Sequence, residues 1–107
     1  MVLIQLLLPI TAPHRETGAH SPLNDTAREL RNAFGGLTAY TRSPAKGVWT
    51  SPDGETEEDE VVMIEVVTSS FDKSWWRPYA ATLAVRFGQE AIHVRALSVE
   101  LLDPDAS

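Results

Sequence analysis

The sequence predicts a single α+β domain whose strands and helices follow the order β-α-β-β-α-β. Three observations support this prediction: two short apolar runs typical of buried strands, two segments with an apolar helical stripe, and a tight turn between two of the strands. A chain of 107 residues is also close to the usual length of one domain. We expect that domain to span residues 1–102, with a polar tail at 103–107.

The two apolar runs predict central strands at residues 2–8 and 61–67. Pro9 ends the first run, and Glu65 is the only charged residue in the second. The first run has no basic residue before it and is shorter than the roughly twenty apolar residues of a membrane helix. Neither a secretion signal nor a membrane span is therefore predicted, and we expect a cytoplasmic protein.

Another strand, the second in chain order, is predicted at residues 37–42, where apolar and polar residues alternate. Pro44 and Gly47 interrupt the pattern, which predicts a bulge or bend before the strand resumes at 48–50. Residues 51–54 then have proline and glycine at the positions that a tight turn requires. This turn joins the second strand in chain order to the apolar run at 61–67, which is the third.

The last strand is predicted at residues 91–97, again from alternation of apolar and polar side chains. The pattern shifts near Ser98. Apolar residues at Val99, Leu101 and Leu102 then predict a bulge followed by an extension of this strand along the edge of the sheet.

The first helix is predicted to follow a loop at residues 11–21. Ser21 offers a capping hydroxyl and Pro22 suits the first helical position, while Gly35 and Gly36 end the helix. One side of this helix is apolar, which indicates that it faces the core. The apolar stripe consists of Leu23, Ala27, Leu30 and Phe34.

The second helix contains a proline, so its first residue is uncertain from the pattern alone. Either the helix begins near Ser74, which places Pro78 in the first turn, or it kinks at Pro78. Gly88 ends it. Its predicted apolar stripe consists of Trp76, Tyr79 or Ala80, Leu83 and Phe87.

This element order predicts the ferredoxin-like fold, a four-stranded antiparallel sheet of order 4-1-3-2 with both helices on one face. The two most apolar strands take the two middle positions in that order. Alternation along each strand then divides its side chains between a core face, under the helices, and an open face. The predicted open face consists of Leu3, Gln5, Leu7, Thr38, Tyr40, Arg42, Met63, Glu65, Val67, His93, Arg95 and Leu97.

The open face is too apolar to be stable in contact with water over its whole area. Exposed apolar patches of this kind usually mark an interface, and a homodimer that buries the face against its own copy is the simplest solution. Charged groups on such a face need partners. We therefore predict that Glu65 pairs with Arg95 or Arg42, with Gln5 between them.

The same cluster is the best candidate for a catalytic site. Glu65, His93, Arg95 and Tyr40 include an acid, a base and a cation, and a carboxylate or imidazole near arginine can acquire the shifted pKa that acid–base catalysis needs. A structural ion-pair network in an interface would contain the same residues. Both interpretations stay open. Gln5, Met63 and Arg42 would line the ligand or the interface in either case.

Three tryptophans could also contribute to binding. Trp75 and Trp76 are adjacent on a helix and point about 100° apart, so one should be buried and the other should lie at the edge between helix and sheet. Core packing is favoured over an aromatic ligand cage, given the area that an indole buries. Trp49 lies on the predicted hairpin arm and could reach into a neighbouring subunit, as interface anchors do.

Composition argues against several classes of partner. The net charge of −6 and a pI of about 4.9 disfavour nucleic acid and anionic membranes. The middle strands of the open face also lack the aromatic residues of an RNA-binding sheet. No cofactor motif is present and there is no cysteine, so no cofactor is predicted.

No metal site is predicted either. The acidic run at 55–60 lacks the spacing of a calcium loop and is interpreted as a solvated end of the hairpin. His14 and His20 have no partner at a recognisable metal-binding spacing.

Several segments resemble a group of small uncharacterised bacterial proteins, and this resemblance covers residues 21 to about 100. It rests on Phe34–Tyr40 (FGGLTAY), on the spacing Arg42-x-Pro44-Ala45-x-Gly47-x-Trp49, on Trp75-Trp76-x-x-Tyr79 and on Arg86–Ile92 (RFGQEAI). The resemblance implies a bacterial, cytoplasmic, ferredoxin-like protein and no particular reaction. The element order is more loosely similar to that of dimeric α+β-barrel proteins, which include small cofactor-free monooxygenases and isomerases. That likeness concerns the fold only.

The leading functional hypothesis is a homodimeric binding or interaction module. The alternative is a small cofactor-free enzyme, monooxygenase-like or isomerase-like, that acts on an apolar small molecule with Glu65 or His93 as base and Arg95 stabilising a developing anion. A third hypothesis is a protein that engages a basic partner through the acidic residues 55–60.

Overall fold

The computed structural model describes residues 1–10, 21–50 and 56–102, and the side chains of residues 10, 41–50 and 56–60 lie outside that description. Residues 11–20 of the predicted loop at 11–21, the predicted turn at 51–54 and the predicted tail at 103–107 lie outside the described residues. The elements are β1 (Val2–Ile10), α1 (Pro22–Phe34), β2 (Thr38–Thr50), β3 (Thr56–Thr68), α2 (Lys73–Arg86) and β4 (His93–Ser98).

The four strands form one antiparallel sheet of order β2-β3-β1-β4. This is the predicted order 4-1-3-2 read from the opposite edge, so the ferredoxin-like fold is confirmed. The two most apolar strands, β1 and β3, are the middle ones, because only the centre of the sheet is fully covered by the helices.

The hydrophobic core lies between the sheet and the two helices. Every second residue of the middle strands is buried, as alternation predicts, and the helical stripes cover them. On the edge strands, Ala39 and Ala96 belong to the predicted core face but are exposed. The buried apolar side chains are Ile4, Leu6, Leu8, Leu30, Val62, Ile64, Val66, Trp76, Leu83, Ala84, Phe87 and Ile92.

The predicted irregularity in β2 is present. The pairing of β2 with β3 shifts between Tyr40, opposite Met63, and Ala45, opposite Val61. Four residues of β2 therefore lie between these partners where β3 has only Val62, and the chain bulges before the strand resumes. Beyond the end of β1, β2 and β3 continue alone as a two-stranded arm, in which Gly47–Thr50 pair with Thr56–Asp59.

The ends of α1 are those that its sequence predicts. The Ser21 hydroxyl accepts a hydrogen bond of 3.1 Å from the backbone N–H of Asn24, and Pro22 occupies the first turn. At the other end Gly35 has a φ of 85°, in the left-handed region, and donates its N–H to the Arg31 carbonyl.

Helix α2 begins at Lys73, so the prediction of a start near Ser74 is confirmed. The reason is its cap: the carboxylate of Asp72 accepts a hydrogen bond of 3.1 Å from the Ser74 backbone N–H. Pro78 is inside the helix, in its second turn, and not in the first turn as predicted. Because proline has no N–H, residue 78 donates no backbone hydrogen bond. Gly88, with a φ of 65°, ends the helix as predicted.

The edge extension predicted after β4 is wrong. The strand ends at Ser98, and residues 99–102 are not in a strand, although the Val99 N–H still donates to the Met1 carbonyl. Leu101 and Leu102 are exposed. β1 pairs with β4 only as far as Val2, so no neighbouring strand is available to pair with these residues.

Candidate functional site

The register of the four strands arranges the open face in three rows that run across the sheet. The middle row is polar, and both neighbouring rows are mainly apolar. The polar row is Arg95, Gln5, Glu65 and Thr38 from β4 to β2. The first apolar row is Leu97, Leu3 and Val67, and the second is His93, Leu7, Met63 and Tyr40.

Short hydrogen bonds join three residues of the polar row to one another and to Tyr40. We call the four residues Arg95, Gln5, Glu65 and Tyr40 the open-face relay. The Nε of Arg95 donates to the Oε1 of Gln5 at 2.6 Å, and the Nε2 of Gln5 donates to the Oε2 of Glu65 at 2.7 Å. The hydroxyl of Tyr40 reaches diagonally from the next row and donates to the Oε1 of Glu65 at 2.8 Å. Gln5 therefore lies between Glu65 and Arg95, as the alternation of β1, β3 and β4 predicts. The predicted pairing of Glu65 with Arg95 is indirect, because the Gln5 amide joins the two charged side chains in place of a direct ion pair.

Contact with Glu65 changes the acidity of Tyr40. The hydrogen bond to the carboxylate, and then its negative charge, raise the pKa of the Tyr40 hydroxyl above its ordinary value of 10.0. The phenol thus acts as a donor that stays protonated over the physiological range. The Tyr40 hydroxyl holds the carboxylate oxygen of Glu65 that does not contact Gln5.

His93 is not part of the relay. It lies in the neighbouring row, directly opposite Leu7, and its side chain is exposed. Of the four predicted catalytic candidates, the structure therefore brings together Glu65, Arg95 and Tyr40 and leaves His93 to one side. The side chains of the predicted partner Arg42 and of the predicted anchor Trp49 lie outside the described residues. The same holds for the side chains of residues 56–60 and for both histidines of the loop.

The apolar rows are only partly covered by their own chain. Leu3, Leu7 and Met63 are half-buried, whereas Val67 and Leu97 are 41% and 45% exposed. Tyr40 is also exposed, at 47%. The face thus combines a polar row, in which Arg95, Gln5 and Glu65 are hydrogen-bonded, with apolar side chains that contact solvent.

A second polar cluster, which the sequence analysis missed, joins the two helices. Arg86 of α2 donates to both carboxylate oxygens of Glu29 in α1, at 2.7 and 2.9 Å. The same guanidinium donates to the hydroxyl of the buried Thr26 at 2.9 Å, and Tyr79 donates to Glu29 at 2.9 Å. The helical spacings 26/29 and 79/86 place each pair on one side of its helix, which was the available signal.

The contacts within this helix cluster are reflected in its pKa values. The hydrogen bond from Arg86 lowers the pKa of Glu29 below its ordinary value and, against desolvation, raises the pKa of Arg86. Burial, followed by the hydrogen bond to Glu29, raises the pKa of Tyr79. All three residues are therefore held in their usual protonation states, which fits a structural role.

One of the adjacent tryptophan rings is buried and the other is exposed, as predicted, but the ring contacts of the exposed one are with the helices and not with the predicted edge between helix and sheet. Trp76 is 2% exposed and belongs to the core, so it is not accessible to a ligand. Trp75 is 36% exposed and packs edge-on against Phe34 of α1, with ring centroids 4.9 Å apart, and against Tyr79 at 4.8 Å. These rings contact one another directly and do not line a cage.

Among the described residues, no group of three or more His, Asp or Glu side chains lies close enough to share a metal ion. Neither of the two described helices combines the length and the apolar character needed to cross a membrane.

Comparison with known proteins shows the fold. No protein-family model and no curated protein matches the chain. The structure is similar to a variant of CutA1 from Pyrococcus horikoshii OT3, with a TM-score of 0.61 and 11% sequence identity over 98% of this chain and 89% of that chain. It is also similar to a phage SAM lyase in complex with S-methyl-5'-thioadenosine, with a TM-score of 0.57 and 15% identity over 90% and 79% of the two chains.

The apo state of the phage SAM lyase matches with a TM-score of 0.52 and 13% identity, over 95% of this chain and 92% of that chain. These identities are low enough that the likeness concerns the backbone arrangement alone. The chain is a small α+β protein of ferredoxin-like fold.

Proposed function

We propose that this protein is a homodimeric binding or interaction module whose two copies associate through the open sheet face. The proposal rests on one observation, the partial exposure of two apolar rows on either side of a polar row. Exposed apolar area of this extent on one side of a sheet favours an interface. A second copy of the chain is the simplest partner, since it is always present with the same face.

The geometry of Glu65 supports a structural role over a catalytic one. Each of its carboxylate oxygens accepts a hydrogen bond from within the chain, from Gln5 on one side and Tyr40 on the other. A carboxylate held between two internal donors is better suited to ordering a polar row within an otherwise apolar interface, where buried charges require partners.

The arm formed by β2 and β3 supports the same interpretation. It continues beyond β1 and therefore lies outside the area that the sheet core covers. In the proposed dimer, Trp49 on this arm reaches the second copy. The resemblance to small bacterial proteins supports a bacterial, cytoplasmic setting for the module.

The solution mass at micromolar concentration, measured by light scattering, tests the proposal. We expect twice the mass of the 11.8 kDa chain. The variant Val67→Lys, which adds a charge to an open-face apolar row, should dissociate the dimer. Val85→Lys is a matched control, because Val85 is 85% exposed on α2. A monomeric native protein, or equal effects of both variants, would contradict the proposal.

The alternative function is a small cofactor-free enzyme that acts on an apolar small molecule, in the manner of a monooxygenase or isomerase. One observation favours it: the exposed Tyr40 is hydrogen-bonded to Glu65 on a fold that a SAM lyase also uses. We would titrate the protein with S-methyl-5'-thioadenosine by calorimetry. Saturable binding that Glu65→Gln abolishes would support a small-molecule site at Glu65, and no heat at millimolar concentration would count against it.

A further inference from the structure

The polar row has opposite charges at equal distances on either side of β1. Arg95 lies opposite Gln5 on the β4 side, and Glu65 lies opposite Gln5 on the β3 side. Neighbouring strands are about 4.8 Å apart, so both charged residues start from backbone positions one strand away from Gln5. The row therefore reads positive, neutral, negative, with the neutral amide at its centre.

Two copies that pack face to face by two-fold symmetry are related by an axis in the plane between their sheets. An axis along the polar row would place Glu65 over Glu65 and Arg95 over Arg95, which is repulsive. An axis between β1 and β3 would place each charge over a neutral residue, Gln5 or Thr38. An axis along β1 places Glu65 of each copy over Arg95 of the other, and Gln5 over Gln5.

From this arrangement we infer that the partner of the open face is a second copy related by a two-fold axis along β1, with two symmetric Glu65–Arg95 ion pairs between the copies. The inference rests on the proposed homodimer and specifies its geometry. The same axis places apolar residues over one another in the first row, with Leu3 over Leu3 and Val67 over Leu97. Like charges do not meet at any position of the polar row.

The relay leaves hydrogen-bonding capacity for such pairs. The contact with Gln5 uses the Nε of Arg95, one of five N–H donors on a guanidinium. Glu65 accepts one hydrogen bond on each oxygen, whereas a carboxylate can accept about four. Within each chain, the relay holds the Arg95 and Glu65 side chains in fixed positions, which reduces the entropy that association would cost.

Charge exchange tests this geometry. Glu65→Arg alone and Arg95→Glu alone each place like charges opposite one another, and self-association should weaken by at least about tenfold. The double variant Glu65→Arg/Arg95→Glu restores opposite charges under the inferred axis and should recover the dimer. Light scattering over a concentration series measures each constant, and circular dichroism verifies the fold. Arg77→Glu and Glu90→Lys, at exposed positions, are the matched controls.

A chemical crosslink gives an independent readout if a charge variant fails to fold. The chain has no cysteine, so Leu3→Cys introduces a single thiol. Under the inferred axis Leu3 faces its own copy across sheets about 10 Å apart, and a short bismaleimide should join two chains. Leu97→Cys is the control, since its two copies would be about 14 Å apart.

The outcomes separate the two claims. A monomeric native protein overturns both the proposed dimer and this geometry. If the native protein is a dimer and the single charge variants remain dimeric, the proposed dimer stands and the inferred axis is wrong. The same conclusion follows if the Leu97→Cys variant crosslinks more efficiently than the Leu3→Cys variant. A trimer also overturns the two-fold axis, since no two-fold rotation relates three copies. Weakening by both single variants, recovery in the double variant and crosslinking at Leu3 are the expected results.

Discussion

Arg86 in α2 forms a bidentate ion pair with Glu29 in α1, through hydrogen bonds of 2.7 and 2.9 Å. This pair joins the two helices directly, on a layer whose other contacts are mostly apolar. The guanidinium also satisfies the hydroxyl of Thr26, which is fully buried. A single side chain therefore binds both the Glu29 carboxylate and the Thr26 hydroxyl.

Arg86→Ala should destabilise the protein by about 1–2 kcal/mol, because it leaves Glu29 without its cation and Thr26 without a donor from α2. The value lies below that of a fully buried pair, since Glu29 is 39% exposed. Urea unfolding would measure it. Arg28→Ala is the control, because Arg28 pairs with Asp25 on the surface and should cost less than about 0.5 kcal/mol. Equal losses in both variants would contradict a special role for Arg86.

The same pair predicts how stability depends on acid. The hydrogen bond from Arg86 lowers the pKa of Glu29 in the folded protein below its ordinary value of 4.5. The carboxylate therefore contributes stability above that value, and the contribution is lost as the pH falls through the lowered pKa. Melting temperatures measured from pH 6 to pH 2.5 should fall less steeply in Glu29→Gln than in the native protein. Parallel curves would show that Glu29 is not involved.

Tyr40 gives a spectroscopic test of the open-face relay. The hydrogen bond to Glu65 raises the pKa of Tyr40. This contact therefore stabilises the folded protein below about pH 10, and its contribution disappears as the pH rises through the raised pKa. The chain has only two tyrosines, and burial also raises the pKa of Tyr79. In the native protein both should ionise above pH 10 when followed by ultraviolet absorbance.

In Glu65→Gln, one of the two tyrosines should ionise at a lower pH, because the negative charge next to Tyr40 has been removed. Tyr40→Phe identifies the signal, since only Tyr79 then titrates. An unchanged titration in Glu65→Gln would mean that the contact between Tyr40 and Glu65 is not maintained in solution.

The two adjacent tryptophans should differ strongly in their importance for stability. Trp76→Ala removes a side chain that is 2% exposed at the centre of the core and should cost about 3–5 kcal/mol. Trp75→Ala removes a ring that is 36% exposed and should cost clearly less. Chemical denaturation of both variants would compare them. A larger loss of unfolding free energy in Trp75→Ala than in Trp76→Ala would show that Trp75, and not Trp76, is the core residue.

Much of the fold follows from local patterns. Alternation along β1 and β3 assigned their faces correctly, because neither strand is interrupted by a bulge over its paired length and side chains in a strand have a period of two. That alternation also put Gln5, Glu65 and Arg95 on one face. The start of α2 was predicted only to lie near Ser74, because Asp72 and Ser74 both offer capping groups and only the backbone geometry selects between them.

The sequence by itself therefore determined the order of the elements, the faces of β1 and β3, and the place of Gln5, Glu65 and Arg95 on the open face, since periodicity, caps and turns depend on neighbours in the chain. The tertiary structure decided which members meet: it joined Tyr40 to Glu65, left His93 outside the relay and paired Arg86 with Glu29. It also left Leu101 and Leu102 without a strand to pair with. Contacts between distant residues depend on the register of strands and the placement of helices, which the packing of the whole core fixes.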